Sequence, residues 1–192
     1  GVRIHTEPKT GIEGKILPEN GYGYIKIDQW NPDLMEAYDS IFTEMLDCPA
    51  LILDVRNNFG GDYTNFGQRV LASFHSEEKV TLYKKFRNSP WYHLYGFNGL
   101  HYRENTSWRD SYYDPIPVKT GNIPLPIYDK PVVLLVNGKH FSSNDLFLIA
   151  WHEWNTGPVI GRMHDFQLSG QPVRISTPWN GWSLGLSVMT PL

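Results

Sequence analysis

Long apolar runs are missing from this chain: no stretch approaches the roughly 20 residues that a membrane helix requires. Cysteine is almost absent. With Cys48 alone, no internal disulfide can form, and the paired Cys/His spacing of a zinc site is lacking. An excess of positive charge is also absent, since 17 Lys+Arg stand against 20 Asp+Glu and no basic cluster occurs, which argues against nucleic acid as a partner. The start, Gly1-Val2-Arg3-Ile4, does not read as a signal peptide, so an export signal would have been removed or would belong to a longer precursor. No repeat or low-complexity tract is visible. What remains is 192 residues, 41% hydrophobic, with the composition of a globular domain. A chain of this length buries roughly 70% of its unfolded surface and needs neither staples nor metal to hold one core.

The pattern along the chain alternates strand and helix. Gly21 to Ile27 follows a turn cluster and reads as a short strand. Asn31-Pro32 then offers a helix cap and a proline at the first position, and Leu34, Tyr38, Ile41, Phe42 and Met45 form one apolar stripe at helical spacing. Ala50 to Val55 is a continuous apolar run of strand length. Phe66, Val70, Leu71 and Phe74 mark a second helix, and Lys79 to Phe86 alternates with period two as a strand does. Regularity stops between 87 and 128, where aromatic, Pro, Gly and Asn residues predict a loop-rich insertion within a single domain. Pro131 to Val136 is a second buried strand and Ser142 to Trp154 a third helix. Val173 to Thr177, an Asn180-Gly181 turn and Trp182 to Met189 read as a C-terminal hairpin. The fold class expected is α/β, a mostly parallel sheet flanked by helices.

Two bends join a buried strand to a helix, at the carboxyl ends where open α/β sheets bind their ligands. The first is Asp54-Val55-Arg56-Asn57-Asn58-Phe59-Gly60-Gly61. Paired glycines allow a tight turn with uncovered N–H groups, as an oxyanion needs, although a lone Gly-Gly is more often a structural turn. The second runs from Val136-Asn137 to Ser142-Ser143-Asn144-Asp145. A serine at a helix N-terminus stands where developing negative charge is favoured, but taken alone Ser142 or Ser143 is more often a plain cap, with Asp145 complementing the helix dipole.

Taken together and in this order, the two bends resemble the S41 peptidase family of C-terminal-processing (tail-specific) proteases and their tricorn-like relatives. The resemblance is carried by Asp54, Arg56, Asn58, Gly60 and Gly61 after the Tyr22-Gly23-Tyr24-Ile25 strand and the Leu34–Met45 stripe. Val136-Asn137, then Ser142 and Asp145 at serine-x-x-acid spacing, then Val159-Ile160-Gly161 continue it. It covers most of residues 21–190. It implies a ClpP/crotonase-like α/β core and acyl transfer with Ser142 as nucleophile. The oxyanion would be held by the Ser143 N–H and an N–H of the Gly60-Gly61 turn, with Asp54, Arg56, Asn58 and Asp145 in support. Neither metal nor cofactor is implied. The implied partner is a polypeptide substrate, of an exported protein with further domains or an oligomeric form.

The chain also departs from that family. A serine needs a neighbouring base, which in the processing proteases is a lysine beyond the Ile-Gly element, and here no lysine follows Lys139. Gln167 stands near the expected position, and an amide cannot take a proton. The family's closing Gly-Ile-x-Pro-Asp element is absent as well, so the chain reads as a fragment of a longer protein or one whose site has lost a part. His164 is the first candidate base and His140 the second, although a single histidine is more often exposed or structurally bonded. The aromatic stretch from Trp91 to Tyr113 could line a groove or make a small secondary core. Two functions remain open on these grounds: a serine peptidase, or a module that has lost its base and binds peptides or apolar ligands. A crotonase-type acyl-CoA enzyme ranks below both.

Overall fold

The computed structural model describes residues 11–86, 116–119, 126–162, 172–176, 183–187 and 189–191. His164, Gln167, the stretch from Trp91 to Tyr113 and the Asn180-Gly181 turn lie outside them. Two compact units are formed, one from 1–81 with 119–167 and the other from 82–118 with 168–192.

The first unit holds a five-stranded sheet built from β1 (Ile12–Ile16), β2 (Gly23–Ile27), β3 (Leu51–Asp54), β6 (Val132–Val136) and β7 (Val159–Gly161), in that spatial order. β1 runs antiparallel to β2, and the remaining neighbours are parallel, with Leu51 opposite Gly23 on one side and Val132 on the other. The mostly parallel sheet expected from the strand and helix rhythm is therefore present. Its centre is apolar because the runs that form it are: Ile25, Leu51, Leu53 and Leu134 are fully buried.

The helices form where the stripes fall. Asn31 accepts a hydrogen bond from the Asp33 N–H at 3.0 Å and starts a 3-10 turn, Pro32–Leu34, which runs into α1 (Met35–Met45). Leu34, Tyr38, Ile41, Phe42 and Met45 are all buried. Each such side chain contributes on the order of 1.5–3 kcal/mol by leaving water. At the far end Lys130 Nζ donates to the Leu46 carbonyl at 2.7 Å, satisfying an acceptor that the helix leaves open. The glycine-bearing bend enters its helix through a π turn, Tyr63–Gly67, opened by Asp62, whose side chain accepts the Asn65 N–H; α2 (Gln68–Ala72) follows. The third helix, α3 (Ser143–Glu153), buries Phe147, Leu148, Ala150 and Trp151.

Under the two bends the helices meet through aromatic rings. Trp30 lies 4.6 Å from Phe147 and 5.7 Å from Phe66, centroid to centroid, while Trp151 meets Phe147 at 5.8 Å and Phe74 at 5.5 Å. Ring pairs of this kind add about 0.5–1.5 kcal/mol each beyond their area.

Most of β4 (Val80–Phe86) belongs to the second unit, where a three-stranded sheet is ordered β10 (Met189–Pro191), β4, β5 (Ile116–Lys119). The C-terminal hairpin is found as β8 (Pro172–Ser176) against β9 (Ser183–Ser187), antiparallel with Ile175 opposite Leu184. After β9 the chain resumes as β10, which pairs with β4.

Candidate active site

β2, β3 and β6 run parallel, so their carboxyl ends fall on the same edge of the sheet, and the two bends leave from β3 and β6. The bends are tied to each other directly. Asn57, at φ 62°, donates its N–H to Asn137 Oδ1 at 3.0 Å, and Asn137 Nδ2 returns a bond to Asn57 Oδ1 at 2.9 Å. Ser143 Oγ donates to the Gly61 carbonyl at 2.6 Å.

Gly60 and Gly61 are required by conformation and by space. Their φ values are +96° and +128°, where side chains are strained. A Cβ on Gly60 would sit 2.8 Å from the Phe141 carbonyl, 2.9 Å from Ser143 N and 3.0 Å from Ser142 Cβ. On Gly61 it would lie 2.4 Å from the Trp30 carbonyl. The glycine bend therefore packs backbone to backbone against the serine bend on one side and Trp30, just beyond β2, on the other.

Asn58 explains why an amide belongs in the first bend. Fully buried, it donates Nδ2 to the Ile27 carbonyl at 3.2 Å and accepts the Gly60 N–H on Oδ1 at 2.9 Å. Trp30 N–H donates to the Gly60 carbonyl and the Trp30 carbonyl accepts the Asp62 N–H. These bonds use the Gly60 N–H and the Asp62 N–H but not the Gly61 N–H between them. Trp30 thus positions this turn through its backbone and was not singled out from the sequence. Its one signal there is its place just beyond a strand's carboxyl end.

Asp54 closes β3. It is fully buried and takes a fork from Arg56, Nη2 to Oδ2 at 2.6 Å and Nε to Oδ1 at 2.9 Å, together with the Arg56 N–H at 2.9 Å and Tyr24 Oη at 2.7 Å. Burial alone pushes the Asp54 carboxyl up, but the bonds from Arg56 and Tyr24 outweigh it and hold it below the usual carboxylate range. Burial first, and then the bond to the Asp54 carboxylate, push the Tyr24 phenol up, against the opposing pull of Arg56. Arg56 and Asp54 hold the bend as a pair, with the guanidinium about half exposed.

Ser142 is held in a conformation that serine rarely adopts, φ 58° and ψ −123°, at the start of α3. Its hydroxyl makes no capping bond. The first turn closes through the main chain instead, with Asn144 N–H on the Phe141 carbonyl and Asp145 N–H on the Ser142 carbonyl. A plain cap would spend the hydroxyl on those N–H groups. None of these bonds uses the Ser143 N–H. Asp145 is fully buried, with Oδ1 at 2.5 Å from His140 Nδ1.

Gly60, Gly61, Ser142, Ser143, Asn58, Asp54, Arg56 and Asp145 are thus brought to the two bends, while His164 lies outside the described residues. Among the described residues no group of His, Cys, Asp and Glu is arranged to hold a metal ion. No helix among them is long and apolar enough to cross a membrane.

Comparison with known proteins agrees with this fold. Among solved structures, a putative peptidase from Parabacteroides merdae is similar over 95% of this chain and 52% of its own, with a TM-score of 0.68 at 23% identity. Mature CPAF complexed with lactacystin is similar over 94% of this chain and 46% of its own, TM-score 0.68 at 16% identity. The photosystem II D1 C-terminal processing protease is similar over 92% and 40%, TM-score 0.59 at 17% identity. The chain therefore spans about half the length of these structures or less. No curated protein sequence matches it. The profile of peptidase family S41 matches residues 21–188. The chain belongs to peptidase family S41, a family of serine-type peptidases.

Proposed function

We propose that this chain is the core of a serine-type peptidase in which Ser142 Oγ attacks the carbonyl carbon of a peptide bond in a polypeptide substrate. The Oγ proton passes to a base as the tetrahedral oxyanion forms, and the N–H groups of Gly61 and Ser143 stabilise that oxyanion. The C–N bond then breaks, the base returns its proton to the leaving amine, and water hydrolyses the acyl-enzyme. Each oxyanion donor is worth about 3 kcal/mol at the transition state. The single observation that carries this reading is the packing of Gly60 against Ser142 and Ser143, which joins two bends 82 residues apart into one site. His164 is the base we assign, from its place on the stretch that follows Val159-Ile160-Gly161.

One observation favours a second reading: no lysine follows Lys139, so the dyad of the processing proteases cannot form within this chain. A member that has lost its base would bind peptides or apolar ligands without cleaving them. Labelling of the full-length protein by a fluorophosphonate probe separates the two. Label that disappears in Ser142→Ala supports the peptidase, and no label in the full-length protein supports the binding module. With labelling established, unchanged turnover in His164→Ala would remove His164 as the base.

A further inference from the structure

The acid three residues after the serine has a partner that the motif does not explain. Asp145 is fully buried, in the first turn of α3, where an acidic side chain ordinarily reaches back to the free N–H at the helix start. Its Oδ1 lies 2.5 Å from Nδ1 of His140, two residues before Ser142, and the His140 side chain is 2% exposed. The contact spans the bend, joining the residue that enters it to the residue that leaves it.

Between these two anchors sits Ser142 at φ 58°. The main-chain bonds that close the turn, from Asn144 and Asp145 to Phe141 and Ser142, leave from the same segment. A buried carboxylate is costly unless it is well bonded, so its retention here needs a local return. We propose that His140 and Asp145 are a positioning pair, a side-chain staple that keeps Ser142 in its strained conformation with the hydroxyl off the helix cap. The proposal rests on Ser142 being the nucleophile. It gives His140 a role distinct from that of a base, because the bond to Asp145 is what matters.

His140→Asn tests this, since the Asn amide can take the place of the ring Nδ1, whereas His140→Ala cannot. In the full-length protein, fluorophosphonate labelling at Ser142 is expected to slow by about 10–100-fold in His140→Ala, and His140→Asn to restore most of the rate. Equal loss in both variants would make the imidazole itself the requirement and overturn the proposal. Amide hydrogen exchange provides a readout that does not need turnover. In His140→Ala, exchange at Asn144 and Asp145 should rise by about 10-fold or more while the strand amides of β3 and β6 stay as they were. A uniform rise through the whole unit, or no rise, would contradict it. An unlabelled wild-type protein would remove the peptidase reading, and the exchange result would still decide the role of the pair.

Discussion

The two helices that start most plainly in the sequence, α1 and α3, begin in opposite ways. Asn31 has an extended backbone, φ −99° and ψ 119°, and spends its side chain on the Asp33 N–H, with Pro32 next in line. Ser142 occupies the same kind of position at φ 58° and ψ −123° and spends its side chain on no cap. The first arrangement stabilises by about 1 kcal/mol, and the second costs about 1–3 kcal/mol of backbone strain. Stability is favoured at one helix start, and a hydroxyl kept off the cap at the other. The contacts that meet this strained bend are local: the His140–Asp145 pair, the Ser143 bond to the Gly61 carbonyl and the Asn57–Asn137 exchange, above the aromatic rings around Trp30.

The contrast can be broken most sharply at Ser142 itself. Ser142→Ala should abolish covalent labelling, by about 10⁴-fold or more in turnover, while Asn31→Ala leaves it alone. Equal labelling in both variants would mean that Ser142 is not the nucleophile. Next in size is Gly61→Ala. Its Cβ would lie 2.4 Å from the Trp30 carbonyl at φ +128°, so a loss of about 3 kcal/mol or more in denaturant unfolding is expected.

Asp54→Asn comes third, at about 1–3 kcal/mol, because the buried site keeps its donors and loses its charge. The pH dependence has a definite sign. Asp54 is held below the ordinary carboxylate range in the folded protein, so its stabilisation is fully present above about pH 4 and is lost as pH falls through the folded-state value. Unfolding measured against pH should be less steep on the acid side in Asp54→Asn, and an unchanged profile would show that the fork from Arg56 contributes nothing. The smallest effects are opposite in sign. Asn31→Ala should cost about 1 kcal/mol and Ser142→Gly should gain up to about 1 kcal/mol, glycine being at ease where serine is strained.

Much of this was legible from the residues. The α1 stripe, the apolar runs of β3 and β6, and the order of the two bends are patterns of side chains, and periodicity reports side chains well. β1 was not anticipated because it is a polar edge strand: of Ile12–Ile16 only Ile12 is buried, and Glu13 and Lys15 face water. The pairing of β10 with β4, which lies about a hundred residues earlier in the chain, leaves no local mark. Trp30 acts through its main-chain N–H and carbonyl, which every non-proline residue carries, so nothing in its side chain announces the role. His140 and Asp145 were each visible, but a bond that skips over the serine is a property of the bend's conformation, and φ at Ser142 cannot be read from composition.

The most direct measurement of the central claim is a crystal structure of the protein with a peptide boronate. If the two bends form one site, boron will be bonded to Ser142 Oγ and a boronate oxygen will lie about 3 Å from the N–H groups of both Gly61 and Ser143. A boronate bonded elsewhere, or one whose oxygens turn away from the glycine bend, would contradict it.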